Sequence, residues 1–169
     1  MKFVLAITMG FFSLFVFAPN SIAADLKVSH TDPIWTGKDV PEKGICKRHD
    51  GKGISPSLKV SGIPSGTSKL VLKFTDYDYG DEGGHGVFEV AVSGKNEINI
   101  PSIEGEVGTT DKLPSNVKGV KTHHCSSCDG RYYLGPCSGG QGNRYWVYVY
   151  AKDGAGKDVA KGKLKLGEY

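Results

Sequence analysis

Three features are scarce in this chain of 169 residues: apolar residues at helical spacing, long apolar runs, and an excess of one sign of charge. After residue 23, no window repeats apolar residues at helical spacing for three turns, so long amphipathic helices are not expected. No apolar run beyond that point is long enough to span a membrane. The 21 basic and 18 acidic residues leave a net charge of +3. Because that charge is small and the lysines are scattered, nucleic acid is not expected as a partner.

The N-terminus carries the one long apolar run. Lys2 precedes a mostly apolar stretch over residues 3–18, and Ser21-Ile22-Ala23 follows it. This order is typical of a cleaved signal peptide, and a membrane anchor is the alternative, for which the run is short. The sequence therefore predicts a signal peptide at residues 1–23 and one domain at 24–169. The mature protein is expected to be periplasmic or secreted, with no integral membrane segment.

Glycine and alternating apolar residues dominate what remains. There are 24 glycines, and alternation over residues 70–74, 87–92, 145–151 and 164–166 is typical of strands on a half-buried sheet. Asp153 to Gly156 indicates a hairpin turn. Residues 102–122 are polar and rich in turn formers, which predicts a long loop. The fold class expected is an all-β sandwich of antiparallel strands.

A glycine-rich loop leads directly into the longest predicted strand. Residues 135–142 contain four glycines, and Arg144 and Tyr145 follow at the junction. Glycines allow backbone N–H groups to converge on a ligand and form an anion-binding nest, although a simple hairpin turn fits the loop equally well. A second polar segment, residues 74–80 with His85 shortly after, favours the binding interpretation.

Four motifs in order resemble the phosphatidylethanolamine-binding (PEBP), or Raf kinase inhibitor-like, family, in its bacterial YbhB/YbcL-type branch. They are Ser55-Pro-Ser-Leu58 with residues 61–67, Thr75-Asp-Tyr-Asp-Tyr-Gly80, Gly84-His85 with residues 87–92, and residues 135–145 with Tyr150-Ala-Lys-Asp153. The resemblance implies a PEBP-like β-sandwich and a non-catalytic protein. Two kinds of partner are expected for such a protein. One is a small anion or phospholipid headgroup bound in a pocket, and the other is a protein whose activity it modulates.

The resemblance also implies a ligand-binding set: Asp76, Asp78, His85, Cys137, Gly139, Asn143 and Tyr145. His85 would offer an N–H to an anionic oxygen, one aspartate would fix its tautomer and favour the imidazolium, and the other would cap turn amides. Taken alone, these residues also fit ordinary turn chemistry. The chain departs from the family pattern at two pairs of prolines and at Asn143, where the family usually has histidine.

The four cysteines of an exported chain favour disulfides, and three pairings are possible. The resemblance favours Cys46–Cys137, which leaves Cys125–Cys128. Closing the longer loop would stabilise the fold by roughly 3–5 kcal/mol.

Two alternatives remain at the level of sequence. One is a metal or redox protein that uses the cluster His123, His124, Cys125 and Cys128, since C-x-x-C is a plausible zinc or copper spacing. The other is an exported enzyme, but the chain has no G-x-S-x-G elbow and no activated nucleophile near the aspartates. A protein that is not an enzyme, without metal or cofactor, is the expectation.

Overall fold

The computed structural model describes residues 24–92, 94–105 and 112–169, so the predicted signal peptide lies outside the described residues. In those residues the chain forms short 3₁₀ helices at Glu42–Gly44 and Lys47–His49 and no helix long and apolar enough to cross a membrane. The strands are β1 (Ala24–Asp25), β2 (Lys27–His30), β3 (Leu58–Ser61), β4 (Thr67–Asp76), β5 (Val87–Ala91), β6 (Glu97–Ile100), β7 (Val117–Lys121), β8 (Arg144–Asp153) and β9 (Asp158–Glu168).

The strands form two sheets. The larger has the order β1-β9-β8-β4-β5-β7 and the smaller the order β2-β3-β6. All pairs are antiparallel except β1–β9, which is parallel. The all-β, antiparallel fold predicted from the alternation of apolar residues is confirmed.

The inner face of the larger sheet forms the core together with the smaller sheet. On β8, Tyr145, Val147, Val149 and Ala151 are buried, while the residues between them are half-buried. The same buried cluster includes Leu70, Leu72 and Phe74 on β4 and Leu58 and Val60 on β3. Each large apolar side chain so buried contributes roughly 1.5–3 kcal/mol relative to an exposed position.

The β8–β9 connection is the predicted hairpin turn. β8 ends at Asp153 and β9 begins at Asp158. The Asp153 carboxylate accepts hydrogen bonds from the amides of Ala155 and Lys157, both at 2.9 Å. This aspartate therefore fixes the turn that aligns β8 with β9.

The prediction of an unbroken loop over residues 102–122 is wrong at its C-terminal end. Strand β7, Val117–Lys121, lies there and pairs with β5 at the edge of the larger sheet. Of its five side chains only Val117 is buried. Backbone hydrogen bonds to β5 hold this edge strand. Because those bonds do not depend on the side chains, the sequence shows no alternation of apolar residues here.

Two disulfides close the loops at one end of the sandwich. Cys46 is bonded to Cys137 and Cys125 to Cys128, which is the pairing that the resemblance implies. The first joins residues 91 positions apart and the second residues 3 positions apart.

Candidate functional site

A cleft of about 390 Å³ opens where β4 ends and β5 and β8 begin. The volume falls within the range of small-molecule sites. Its walls combine charged, polar and aromatic groups: Arg48, Asp76, Tyr79, Asp81, Gly84, His85, His124, Cys125, Leu134, Cys137, Ser138, Gln141, Asn143 and Tyr145.

Backbone hydrogen bonds from two directions hold His85 in the cleft. Its amide donates to the Phe74 carbonyl at 3.0 Å, and its carbonyl accepts from the Leu134 amide at 3.1 Å. The next residue, Gly86, has φ 114°, and a Cβ there would lie 2.1 Å from the Tyr132 carbonyl oxygen. Only glycine fits at this position, so the Gly84-His85-Gly86 turn presents the imidazole in one fixed place.

The tautomer of His85 follows from its partner. Nδ1 lies 3.0 Å from the Leu134 carbonyl oxygen, which can only accept, so Nδ1 carries the proton. A neutral His85 therefore has Nε2 as a lone-pair acceptor, and Nε2 becomes a donor only in the imidazolium. The expectation that a carboxylate fixes this tautomer is wrong, because a main-chain carbonyl does so.

Burial lowers the pKa of His85, and opposing effects only partly offset it. Burial is the largest influence; the carbonyls of Leu134 and Gly135 and the charge of Asp76 act to raise the pKa, and nearby His123 lowers it further. The net direction favours the neutral imidazole, contrary to the expectation that an aspartate would favour the imidazolium. An anion beside Nε2 would reverse this balance, since opposite charge favours the protonated form.

Asp76 is buried at the end of β4 and acts as the cap of the following turn. Its carboxylate accepts from the amides of Asp78 and Tyr79, both at 3.1 Å, and from Asn143 Nδ2 at 2.7 Å. Asn143 thus bridges the glycine-rich loop to β4 with a neutral amide. The expected capping role therefore falls to Asp76.

Asp78 lies outside the cleft. Its carboxylate accepts from the Arg144 amide at 2.7 Å and from the guanidinium of the same residue. These bonds lower the pKa of Asp78 to about 2. The structure therefore does not bring this predicted site residue to the others. Arg144 points away from the cleft, because neighbouring side chains of a strand lie on opposite faces and Tyr145 faces the cleft.

Tyr145 lies on the cleft wall with its ring edge-on to His85, the centroids 5.3 Å apart. Its phenol oxygen accepts a hydrogen bond from the Cys137 amide at 3.1 Å. That amide is therefore already bonded, whereas we expected the amides around Cys137 to be donors for a ligand. Burial, together with a hydrogen bond to the Asp76 carboxylate, raises the pKa of Tyr145 to about 12, so the phenol keeps its proton and shares it with Asp76.

The glycine-rich loop, residues 135–143, is tied to the end of β9. The Tyr169 carbonyl oxygen accepts from the amides of Gly142 and Asn143, both at 2.9 Å, and from the Ser138 hydroxyl. Gly139 has φ 73° and packs against the His49 ring, so this predicted ligand residue supports the loop from behind and does not line the cleft.

Several cleft residues were missing from the predicted set. Arg48 is brought to the glycine-rich loop by the neighbouring Cys46–Cys137 bond, and the proposed pairing was the signal that could have revealed it. Nδ1 of His124 contacts the Asp81 carboxylate, and the His124 amide donates to the Gly84 carbonyl at 2.9 Å. The cleft thus holds cationic and anionic groups side by side.

The alternative metal cluster is not available as a ligand set. Cys125 and Cys128 are bonded to each other, which removes their thiolates as ligands for a metal beside His123 and His124. Among the described residues, Cys46, His49 and Cys137 also bring ligand-type atoms within 4.8 Å of one another. Their two sulfurs form the other disulfide.

Comparisons with known proteins agree with this architecture. The fold resembles YbcL of Escherichia coli, described as a new member of the mammalian PEBP family, with a TM-score of 0.59 and 21% identity over 86% of this chain and 98% of that one. It also resembles a putative PEBP homologue of Chlamydia trachomatis, with a TM-score of 0.56 and 19% identity over 86% and 97% of the two chains. No curated protein matches the sequence.

The sequence itself carries the family assignment. The family model described as phosphatidylethanolamine-binding protein matches residues 31–168, which include every strand except β1 and β2 and every residue of the cleft. The chain therefore belongs to the phosphatidylethanolamine-binding protein family.

Proposed function

We propose that this protein is exported and binds a small anion, phosphate or a phospholipid headgroup, in the cleft beside His85. The observation that carries the proposal is the fixed tautomer of His85, whose Nε2 becomes a hydrogen-bond donor when the ring is protonated. Arg48 adds a permanent cation to the same cleft. The two disulfides suit an oxidising compartment, which supports export.

The acidic groups of the cleft favour a ligand that carries a cation as well as an anion. Asp76 and Asp81 lie in the same walls as Arg48 and His85. A phosphate ester with an ammonium group would satisfy both signs of charge, whereas inorganic phosphate would meet the carboxylates without compensation. Phosphoethanolamine is accordingly expected to bind more tightly than phosphate.

We propose that the cleft binds without catalysis. A hydroxyl or thiol nucleophile has to be free and to lie beside a base that activates it. Cys125 and Cys137 are disulfide-bonded, and the Ser138 hydroxyl donates to the Tyr169 carbonyl. The proton of His85 Nδ1 is directed at a carbonyl, not at a carboxylate that would strengthen the ring as a base.

Calorimetry with phosphoethanolamine and phosphate tests the proposal. A hydrogen bond to a charged group contributes roughly 1.5–3 kcal/mol, so His85→Ala should weaken binding by about tenfold or more. Lys59→Gln, an exposed change on β3 of the smaller sheet, is the matched control and should leave affinity unchanged. Absence of binding to the unchanged protein at millimolar ligand, or equal affinity after His85→Ala, would contradict the proposal.

We also propose that the rim of the cleft contacts a protein partner. Tyr79, a cleft residue, is 82% exposed, and neighbouring Tyr77 is 49% exposed. Exposed aromatic side chains beside a binding site are a common feature of contact surfaces. A photoreactive residue at position 79 should yield a discrete cross-linked species in the native cell, and one at position 59 should not; no such species would count against this contact.

A further inference from the structure

The outer face of the larger sheet is the feature that the cleft does not explain. The inner face packs on the smaller sheet, and in the part of the chain that the structure describes no second layer covers the outer one. Three large aromatic residues, Trp146, Tyr148 and Tyr150, occupy alternate positions of β8 on this face and are half-buried. Residues at alternate positions of a strand lie roughly 6.8 Å apart, so the rings form a continuous row.

A row of lysines on β9 borders these rings. Lys165 lies opposite Trp146, Lys163 opposite Tyr148 and Lys161 opposite Tyr150. Most lysines on and around this face are neutralised by neighbours, in the pairs Lys69–Glu89, Lys73–Glu82, Lys152–Asp158 and Lys165–Glu168. Lys161 and Lys163 are exposed and form no ion pair with any described residue. Two adjacent positive charges thus remain available to a ligand.

These two lysines border a surface cleft of about 420 Å³, separate from the one that holds His85. Tyr148 and Tyr150 form the other side of the cleft, and Asp25 lies at its edge. The combination of aromatic rings and unpaired ammonium groups suits a compact ligand that has both a ring and a negative charge. The carboxylate of Asp25 opposes a second negative charge at that edge.

The three rings are not equally accessible. Lys163 Nζ lies 4.9 Å from the centre of the Trp146 ring, and Lys73 Nζ lies 4.7 Å from that of Tyr150. Such cation–π contacts occupy a ring face. Among the described residues, no cation lies over the ring of Tyr148. This ring is therefore the one in the row that is open for stacking.

We propose that this second cleft binds an acidic sugar unit of a glycan, whose ring stacks on Tyr148 and whose carboxylate or sulfate contacts Lys161 and Lys163. A nucleic-acid strand fits less well, because it needs successive open ring faces and a long row of cations. Here the neighbouring rings are occupied, and the surrounding lysines are already paired with acids. The site is independent of the His85 cleft and of any ligand bound there.

Titration with trigalacturonate, followed by intrinsic tyrosine and tryptophan fluorescence, tests the proposal. Binding should be measurable at millimolar ligand, and maltotriose, which has similar rings without carboxylates, should bind at least about tenfold more weakly. Tyr148→Ala should weaken trigalacturonate binding about tenfold or more, while Tyr148→Phe should retain it, since stacking needs the ring and not the hydroxyl.

Charge variants separate the contribution of the two lysines. Lys161→Gln with Lys163→Gln should abolish the preference for trigalacturonate over maltotriose, and Lys165→Gln, which removes a lysine already paired with Glu168, should not. Binding of phosphoethanolamine should be unaffected by all these changes, and His85→Ala should leave trigalacturonate binding unchanged. Near-ultraviolet circular dichroism confirms that each variant is folded.

The proposal would be overturned if trigalacturonate did not bind to the unchanged protein. Equal affinity for maltotriose, or tighter binding of a single-stranded thymidine oligonucleotide, would also overturn it. Equal affinity in the folded Tyr148→Ala variant would show that the row of rings is not the contact, and would overturn it as well.

Discussion

Two loops form opposite parts of the His85 cleft, and each contains a disulfide, but they are held in different ways. The glycine-rich loop, residues 135–143, is tied to distant parts of the chain by Cys46–Cys137 and by the Tyr169 carbonyl. The histidine–cysteine loop, residues 122–131, has its disulfide within itself, at a separation of 3 residues, and is anchored by His124 to Gly84 and Asp81. The position of the glycine-rich loop therefore depends on distant parts of the fold, whereas the position of the histidine–cysteine loop depends on contacts within the cleft.

The largest expected difference between the loops is in stability. Replacing both Cys46 and Cys137 by serine should lower the free energy of unfolding by roughly 3–5 kcal/mol, because the cross-link closes a loop of about ninety residues in the unfolded chain. Urea unfolding measures the loss. The matched double change of Cys125 and Cys128 should cost less than half as much, since it closes a very short loop. Equal losses would mean that loop closure does not explain the difference.

The second largest effect is expected at Arg48, the cleft residue that the Cys46–Cys137 disulfide brings to the glycine-rich loop. Arg48→Gln removes the permanent cation that this bond brings to the glycine-rich loop, so phosphoethanolamine affinity should fall by about tenfold. Arg144→Gln is the control, because its guanidinium is paired with Asp78 outside the cleft. Calorimetry checks both variants, and a larger loss for Arg144→Gln than for Arg48→Gln would place the anion elsewhere.

A smaller effect is expected at the contact between the glycine-rich loop and β4. Asn143→His introduces the residue that the resemblance to the family implies at this position, and an imidazolium could donate to Asp76 while adding positive charge to the cleft. Affinity for phosphoethanolamine should rise by a few fold, and more at lower pH. Weaker binding would indicate that the neutral amide of Asn143 is required to position Asp76.

The smallest expected effect concerns Asp78, which lies in the turn after β4 and outside the cleft. Its folded-state pKa of about 2 is below the ordinary value of 3.8, so its stabilising contribution is present above that value and is lost as pH falls through about 2. Arg144→Gln should return the titration midpoint of this carboxylate toward its ordinary range. Carbon-detected nuclear magnetic resonance follows the carboxylate, and an unchanged midpoint would exclude Arg144 as the cause.

The same contrast between local and long-range contacts explains which strands and which cleft residues could be predicted from the sequence. Alternation over residues 145–151 identified β8 because every second side chain is buried. Strand β7 left no such pattern, since only Val117 is buried and backbone bonds hold the rest at the sheet edge. Motif order placed Asp76, His85, Asn143 and Tyr145 at one site, and all four line the cleft.

Two features of the site had an indirect sequence signal or none. Arg48 could be recognised only through the implied pairing of Cys46 with Cys137, two cysteines that are 91 positions apart. The partner that fixes the tautomer of His85 is the carbonyl of Leu134, and a main-chain carbonyl is present at every position, so its identity does not distinguish one residue from another. The motif therefore predicted the histidine but assigned its partner to an aspartate.

Proton uptake on anion binding is the measurement that tests the central claim most directly. Calorimetry with sulfate, whose charge does not titrate near neutral pH, in two buffers of different ionisation enthalpy reports protons taken up by the protein alone. Burial lowers the pKa of His85 in the empty cleft, so a bound anion should raise it, with net proton uptake near pH 7 and affinity that increases as pH falls. His85→Gln should abolish the uptake. Binding without proton uptake, or uptake that persists in His85→Gln, would contradict the account.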